Sequence, residues 1–484
     1  MKAISKNSVD SILLVFVKAF TTISGILSTA ILSRALSLEM YGTYSQLNLV
    51  STTVTSLTAL GLMDAVNYFY NKTSDVKNQK KYLDTLLGIQ VLVGFGAGLV
   101  ILLCNRPIVN YFQNSLLAPL LIYIAFRPAF ANIVNGMQVL QISVGRARII
   151  AVRNALLSIC KLIAIVGASY ITHDIKTILI TFLVFEIVTA VYFKKSFEKG
   201  RFRINWRNIN WAKAAEILKY SVPMGVYTMT NSLSRDLDKL VISRFCGTEQ
   251  LAIYSNCSTL LPFDIVSSAF LTVIIPVMTQ YINSKETEKG ENLFKNYLKI
   301  GYITTFTFTI ASIALSREMI LMLYGEKYLE GQTVFILYTI VDMLKFVNLS
   351  LVLSAHGETK RLMKYSIVAL MANFVLNILL YGVVGFTGPA VATVIVTTGL
   401  SFSLLKRSAQ ILETNIRRLM NWKELFTFLF IAGGIGILLF VLQSIMNERS
   451  IHYMIILIVL GAAYIGGVLL ISMKRLLSAM REIK

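Results

Sequence analysis

Four cations sit where cations are costly. Lys18, Arg127, Lys161 and Arg235 each lie well inside a long apolar run of the chain. At the middle of a lipid-facing helix each would cost ~2.5–3.5 kcal/mol, on the order of 10 kcal/mol for the set. They must therefore face water, an acid or one another. Helical spacing extends each into a polar stripe. Lys18, Thr22, Gly25 and Thr29 share one face; Arg127, Ala131, Asn135 and Gln138 share a second; Asn154, Ser158 and Lys161 share a third; Tyr227, Asn231, Ser234, Arg235 and Asp238 form a fourth. One such stripe is as well explained by hydrogen bonding between helices as by a wet cavity. Four stripes that each carry a cation favour a common cavity, and what cations do in a cavity is bind anions. The candidate ligands are Lys18, Arg127, Lys161, Arg235, Asn231, Asn135 and Gln138.

Local pairing is the competing use of these charges. Arg235 and Asp238 are three residues apart, as are Asp342 and Lys345, so each pair could neutralise itself; Lys345 is read as structural. Lys18, Arg127 and Lys161 have no acid within four residues on their own helix. Their structural alternative is an acid on another helix, such as Glu186 or Asp264. Other chemistries find little support. Cys104, Cys160, Cys246 and Cys257 form no CxxC pair, and His173, His356 and His452 are too scattered to suggest a metal cluster. No G-x-x-x-x-G-K-[ST] loop occurs, so direct nucleotide coupling is not expected, nor is any cofactor.

The elements that must position these residues are membrane helices. Fourteen apolar runs lie at about 9–33, 43–70, 85–104, 117–142, 150–171, 175–193, 217–243, 251–281, 297–316, 332–354, 364–384, 387–405, 424–445 and 452–472, here spans 1 to 14. Several exceed the roughly 20 residues that cross ~30 Å of hydrocarbon. A mean hydropathy of +0.67 and only 15% charged residues fit a bilayer solvent. The net charge of +21 could suggest nucleic acid. However, Lys and Arg fall almost entirely in every second gap, so topology and contact with anionic headgroups explain it instead, and no nucleic-acid partner is expected. The same bias places both termini in the cytoplasm. The first run is read as a span, not a cleaved signal peptide. The most basic loop, 194–213, carries Trp206 and Trp211 and suits an interfacial helix on the inner leaflet.

The chain also repeats itself. Segment 31–45 aligns without gaps to 241–255, with identities at Ser33/Ser243, Arg34/Arg244, Glu39/Glu249, Tyr44/Tyr254 and Ser45/Ser255. Each segment covers the end of an odd span, an outer turn and the start of the next span. Spans 1–6 and 7–12 therefore read as duplicated six-helix halves in the same orientation. The expected organisation is an N-terminal six-helix lobe at 1–213, a second at 214–405, and a basic linker with spans 13 and 14 at 406–484.

These segments carry a family likeness. RALSLEMYGTY (34–44) resembles the outer turn after the first span in Wzx-type polysaccharide flippases of the multidrug/oligosaccharidyl-lipid/polysaccharide exporter superfamily. Leu60-Gly61-Leu62 resembles the close of its second span. LKYSVP (218–223) followed by DKLVI (238–242) is similar to its seventh helix. LYGEKY (323–328) is similar to its outer turn after span 9, and NFVLN (373–377) with GFTGPA (385–390) to its span 11–12 hairpin. The resemblance implies an all-α, MATE- and MurJ-like fold: two six-helix lobes in a V, plus two C-terminal helices. It implies a flippase, not an enzyme, in the bacterial inner membrane, with polysaccharide polymerase machinery as a further partner.

An undecaprenyl-pyrophosphate-linked oligosaccharide suits the residues on physical grounds. Arg and Lys neutralise its diphosphate, Asn, Gln, Ser and Thr replace water at its hydroxyls, and its tail stays in lipid. A multidrug or cation antiporter of the same superfamily would favour carboxylates and aromatics instead; a lipid II flippase is the other alternative. Coupled Na+ or H+ entry would use Asp64 or Asp264, although nothing in the sequence demands it. The topology has a direct test in a cysteine-free background. Lys199→Cys and Arg418→Cys should be protected from an impermeant thiol reagent in intact cells, whereas Glu39→Cys and Glu326→Cys should label. Labelling at position 199 from outside would sink the fourteen-span arrangement.

Overall fold

A computed structural model describes residues 6–72, 75–172 and 174–483, and every regular element among them is helical. Each apolar run coincides with one helix or with one interrupted pair. Spans 1, 3, 5, 6 and 7 are Lys6–Ala35, Val76–Leu103, Ala147–Thr172, Ile175–Glu198 and Trp211–Phe245. Spans 9, 11, 12, 13 and 14 are Thr287–Ala314, Thr359–Val384, Gly388–Ile411, Trp422–Glu448 and Tyr453–Ile483. Short polar side chains start many of them. Ser37 accepts from the Met40 amide, Asp174 from Lys176 and Asn210 from Lys213, each satisfying an orphan donor of a first turn.

Four spans are broken. Span 2 runs as Leu38–Ala59 and Leu62–Asn71, span 4 as Leu117–Ala125 and Arg127–Ser143, span 8 as Thr248–Cys257 and Ile265–Asn283, and span 10 as Gln332–Leu344 and Leu351–Ala355. In span 2 both Leu60 (φ 47°) and Gly61 (φ 65°) are left-handed. Gly61 also backs onto the Ser221 carbonyl and the Gly225 backbone, where a Cβ would overlap them. The interruptions recur six spans apart, at 2 and 8 and at 4 and 10. A short helix also follows both span 3 (Asn105–Phe112) and span 9 (Ser316–Leu323).

Among the described residues seven helices are long and apolar enough to cross a membrane, or nine if each bent pair is one span. One of the seven, Thr359–Ile411, is the hairpin of spans 11 and 12. It folds back at 385–387, where Gly388 packs on the Leu380 carbonyl and Asn373 donates to Thr393 Oγ1 at 3.1 Å. Span 7 holds Arg235, Asp236, Asp238 and Lys239 and is too polar to be among the seven. Phe430, Val383 and Ile171 are 85%, 82% and 81% exposed, which suits lipid and not water.

The described residues divide into two compact units at 252/253. In the first, Phe69, Tyr82, Phe193, Phe197 and Ile217 form a core among spans 2, 3, 6 and 7. Here the two copies of the repeat touch. A Cβ on Gly42 would overlap the Thr248 carbonyl, and Gln46 Nε2 donates to Ser243 Oγ at 3.0 Å and to Thr248 Oγ1 at 3.3 Å. In the second unit, spans 13 and 14 pack on span 9 around Phe306, Phe428 and Tyr464.

The interfacial helix expected at 194–213 is not formed. Residues 199–210 are non-helical, because their backbone is spent on span 3. The Asn205 amide donates to Asp84 Oδ1 at 2.7 Å, the Asn210 amide to Thr85 Oγ1 at 3.1 Å, and Lys80 Nζ to the Arg203 carbonyl at 2.8 Å.

In the second unit Glu358, before span 11, receives Arg407 of span 12 through Nε at 2.9 Å and through Nη2, and Arg361 Nη1 at 3.1 Å. Arg407 holds this carboxyl below its ordinary value of 4.5, with Arg361 and His356 adding to the effect. A depressed carboxylate contributes stability above its unfolded value and loses it as pH falls through the folded one. Glu358→Gln should therefore lower the thermal unfolding midpoint of the detergent-solubilised protein at pH 7, with the gap to the parent narrowing toward pH 3. A gap of constant size across that range would remove the pair from the account.

Candidate functional site

The break in span 4 sets the site. Pro128, in the first turn after Phe126, has no amide hydrogen to lose and a backbone already set for a helix start. Arg127 thus heads the second half-helix, buried at 9% exposure. Its Nη2 lies 2.8 Å from Glu186 Oε1, and its Nε lies 3.2 and 3.3 Å from the two carboxylate oxygens. This forked geometry makes a strong charge-assisted pair.

Phe182, one turn before Glu186 on span 6, lies against both cations of this region. The Arg127 guanidinium is 5.3 Å and the Lys161 ammonium 4.8 Å from its ring centroid. Tyr44 stacks on the same ring at 6.1 Å. Spans 2, 4, 5 and 6 therefore converge on one aromatic ring, whose negative faces attract cations. Two cations and one acid leave the cluster a net charge of +1. Lys161 makes no ion pair or hydrogen bond to another described residue, and Arg127 Nη1 is buried without a hydrogen-bond partner. Those two groups are the donors the cluster leaves unused among the described residues.

The remaining candidates divide. Gln138 accepts from Asn154 Nδ2 at 3.4 Å, tying span 4 to span 5, and Asn135 is half-buried on the same helix. Arg235 and Asn231 are exposed together on one face of span 7, apart from the Phe182 cluster's contacts. The Arg235–Asp238 pairing is not made: Asp238 is fully buried, and Arg235 has no acid within ion-pair distance among the described residues. Asp236 instead faces Lys239 at 3.8 Å and accepts from Thr52 at 3.3 Å. Lys18 belongs to a helix that packs along span 5, but its side chain lies outside the described residues, as does that of Asp64.

Sequence reasoning missed Tyr44, Phe182 and Asn132. Asn132 is buried and donates to Thr58 Oγ1 at 2.9 Å and to the Thr55 carbonyl at 3.2 Å, joining span 4 to span 2 beside the Leu60 break. The available signal was the spacing of Phe182 and Glu186, four apart on one helical face. In the second unit Asp264 accepts from Ser268 at 2.8 Å and Asp342 from the Leu261 amide at 3.0 Å. Among the described residues no three His, Cys, Asp or Glu side chains are grouped to hold a metal.

Comparison with known proteins gives a consistent picture. The family described as "Polysaccharide biosynthesis protein" matches residues 31–333. The chain is 21% identical over 214 residues to the capsular polysaccharide biosynthesis protein CapF of Staphylococcus aureus, covering 44% of this chain and 53% of that one. It is 21% identical over 295 residues to the probable lipid II flippase MurJ of Rickettsia prowazekii, covering 57% and 55%. The match thus spans about half the length of these curated relatives. Among solved structures, lipid II flippase MurJ in an inward closed conformation superposes with a TM-score of 0.76 at 16% identity, covering 96% of this chain and 100% of that one. At that identity the likeness shows the fold.

The ion pair makes a distinctive demand. Arg127→Ala should strand Glu186 as a half-buried charge without its arginine partner, costing roughly 1–3 kcal/mol and lowering membrane abundance of a fluorescent fusion. Removing Glu186 as well, in Arg127→Ala/Glu186→Ala, should recover much of that loss. A double variant as unstable as the sum of the singles would show that the two side chains are not coupled.

Proposed function

Because this chain belongs to the polysaccharide biosynthesis protein family, we propose that it is a flippase for undecaprenyl-pyrophosphate-linked oligosaccharide repeat units. In this reading it carries them from the cytoplasmic to the outer leaflet of the bacterial inner membrane by alternating access, with both termini in the cytoplasm. The observation that carries the reading is the cluster on Phe182: an uncompensated Lys161 beside an Arg127 with a spare buried donor. The recurrence of broken spans six apart supports two duplicated halves, 1–213 and 214–405, followed by 406–484.

The residues would divide the work. Lys161 supplies the net positive charge that lets a diphosphate leave water. Arg127 Nη1 offers a directed hydrogen bond, while its other nitrogens stay on Glu186. Asn135 and Gln138, further along the same helix, are placed to meet sugar hydroxyls. The exposed pair Arg235 and Asn231 on span 7 offers a second polar face. A cation antiporter is less well served, because the one acid of the cluster is already engaged by arginine. A lipid II flippase is the second reading, favoured by the full-length structural likeness to MurJ; that substrate also presents a lipid-linked diphosphate.

Energetics favour outward movement without nucleotide. A dianion leaving a cytoplasm held ~100 mV negative gains about 2.3 kcal/mol per charge, ~4.6 kcal/mol in all. The test uses proteoliposomes with fluorescent lipid-linked oligosaccharide. An imposed potential, negative on the cytoplasmic-facing side, should speed flipping. Lys161→Ala should slow flipping about tenfold or more at unchanged abundance, and Lys161→Arg should restore part of it. Flipping that ignores Lys161→Ala would misplace the site; flipping that ignores the potential and follows only Na+ or pH gradients would replace dianion drive with an antiport cycle.

A further inference from the structure

The second unit holds another cationic site. At one end of the span 11–12 hairpin a pocket of about 490 Å3 is lined by Arg361, Lys364, Lys406 and Arg407, with Tyr365 and Ser403 as further polar groups. Four cations share this space, and the acid beside them, Glu358, engages only Arg407 and Arg361. Lys364 and Lys406 are exposed and, among the described residues, have no acid within ion-pair distance. The region therefore carries a net charge of about +3, a crowding of like charge that an anion would relieve.

The surface next to the pocket identifies the kind of anion. One turn along span 11 from Lys364, Ile367 and Val368 are exposed, followed by Met371; on span 12 Phe402 is 57% exposed, one turn before Lys406. A basic pocket thus opens where the apolar, lipid-facing surface of the same two helices begins. A soluble anion would use the charges alone, whereas a lipid uses both. The alternation of basic loops puts this end of the hairpin at the cytoplasmic face, where anionic headgroups attract juxtamembrane Lys and Arg.

We propose that this pocket binds the phosphate headgroup of an anionic bilayer phospholipid, with Lys364 and Lys406 as its free cationic ligands and the acyl chains lying along the exposed apolar faces of spans 11 and 12. Arg407 and Arg361 are fixed by Glu358 and serve as preorganised donors at the pocket wall. The site is independent of the Phe182 cluster and of the substrate reading built on it.

The test measures the thermal unfolding of purified, delipidated protein titrated with phosphatidylglycerol, phosphatidylcholine, inorganic phosphate or an isoprenyl diphosphate. Phosphatidylglycerol should stabilise the parent, and phosphatidylcholine and inorganic phosphate should not. Each basic residue near an anionic surface is worth roughly fivefold in affinity, so Lys364→Gln/Lys406→Gln should weaken the phosphatidylglycerol response about thirtyfold. Both lysines are exposed, so the double variant should fold. Equal responses in parent and double variant would overturn the proposal. So would stabilisation by inorganic phosphate alone, or by the isoprenyl diphosphate but not by phosphatidylglycerol. Flipping by the double variant in phosphatidylcholine vesicles should match the parent, which separates failure here from failure of the flippase reading.

Discussion

Hydrocarbon offers no partner to a backbone amide or carbonyl, so a helix may be broken inside a membrane protein only where other groups take over its hydrogen bonds. That constraint organises this molecule. The break in span 8 leaves the Leu261 amide to Asp342 and the Phe263 carbonyl to Thr305. In span 10 the Phe346 carbonyl accepts from Ser267 and Thr305, and the Asn348 amide donates to the Tyr297 hydroxyl. In the first unit the span 2 break is covered by the span 7 backbone at Ser221–Gly225, and the span 4 break by Gly98, which lets Phe126 and the Ala125 carbonyl approach closely. Much of the intramembrane polarity therefore belongs to the breaks. Asp342, half-buried, is the acceptor for an orphaned amide.

The breaks in turn place the charges. Arg127 stands at the first position of a half-helix because span 4 stops at Phe126 and restarts with Pro128. The positive end of the helix dipole disfavours a cation there. Glu186 offsets that cost and the cost of burial together, which is why its pairing with Arg127 is forked. Lys161 makes no such ion pair among the described residues. Phe182 supplies what an aromatic ring can give a cation, typically 0.5–2 kcal/mol, which falls short of the cost of a cation in hydrocarbon.

Legibility in the sequence followed the range of each interaction. The helical, largely apolar architecture was readable because apolar length is a local, additive signal. Segments 31–45 and 241–255 share polar identities, and the contacts of Gly42 with Thr248 and of Gln46, just beyond the first segment, with Ser243 give these positions a reason to be small or polar. The breaks were not read as such, although Gly61 after Leu60 and Pro128 after Phe126 are local signals for them. Partner choice was hidden. Glu186 could be named as an acid for some intramembrane cation, but only the fold selects Arg127. Trp206 and Trp211 suggested a helix on the membrane surface; the deciding groups were Asp84 and Thr85, more than 120 residues earlier, which bind the loop backbone.

In the proposed role the Phe182 cluster would have to admit an anion and also survive empty, which are opposing requirements. With no acid, the empty cluster would hold two unpaired cations at membrane depth; with two acids, it would have no charge to offer. One glutamate on one of two cations satisfies both. The empty cluster keeps a single positive charge against an aromatic ring, and the arginine is held in a fixed fork with one nitrogen unspent. An entering diphosphate would meet Lys161 first as an uncommitted charge. Arg127 then supplies direction, because its plane is already set by Glu186 and little side-chain freedom remains to be lost. In that proposed role, selectivity for charge and selectivity for shape would reside in different residues, and both would depend on the interruption of span 4 that brings Arg127 to the ring.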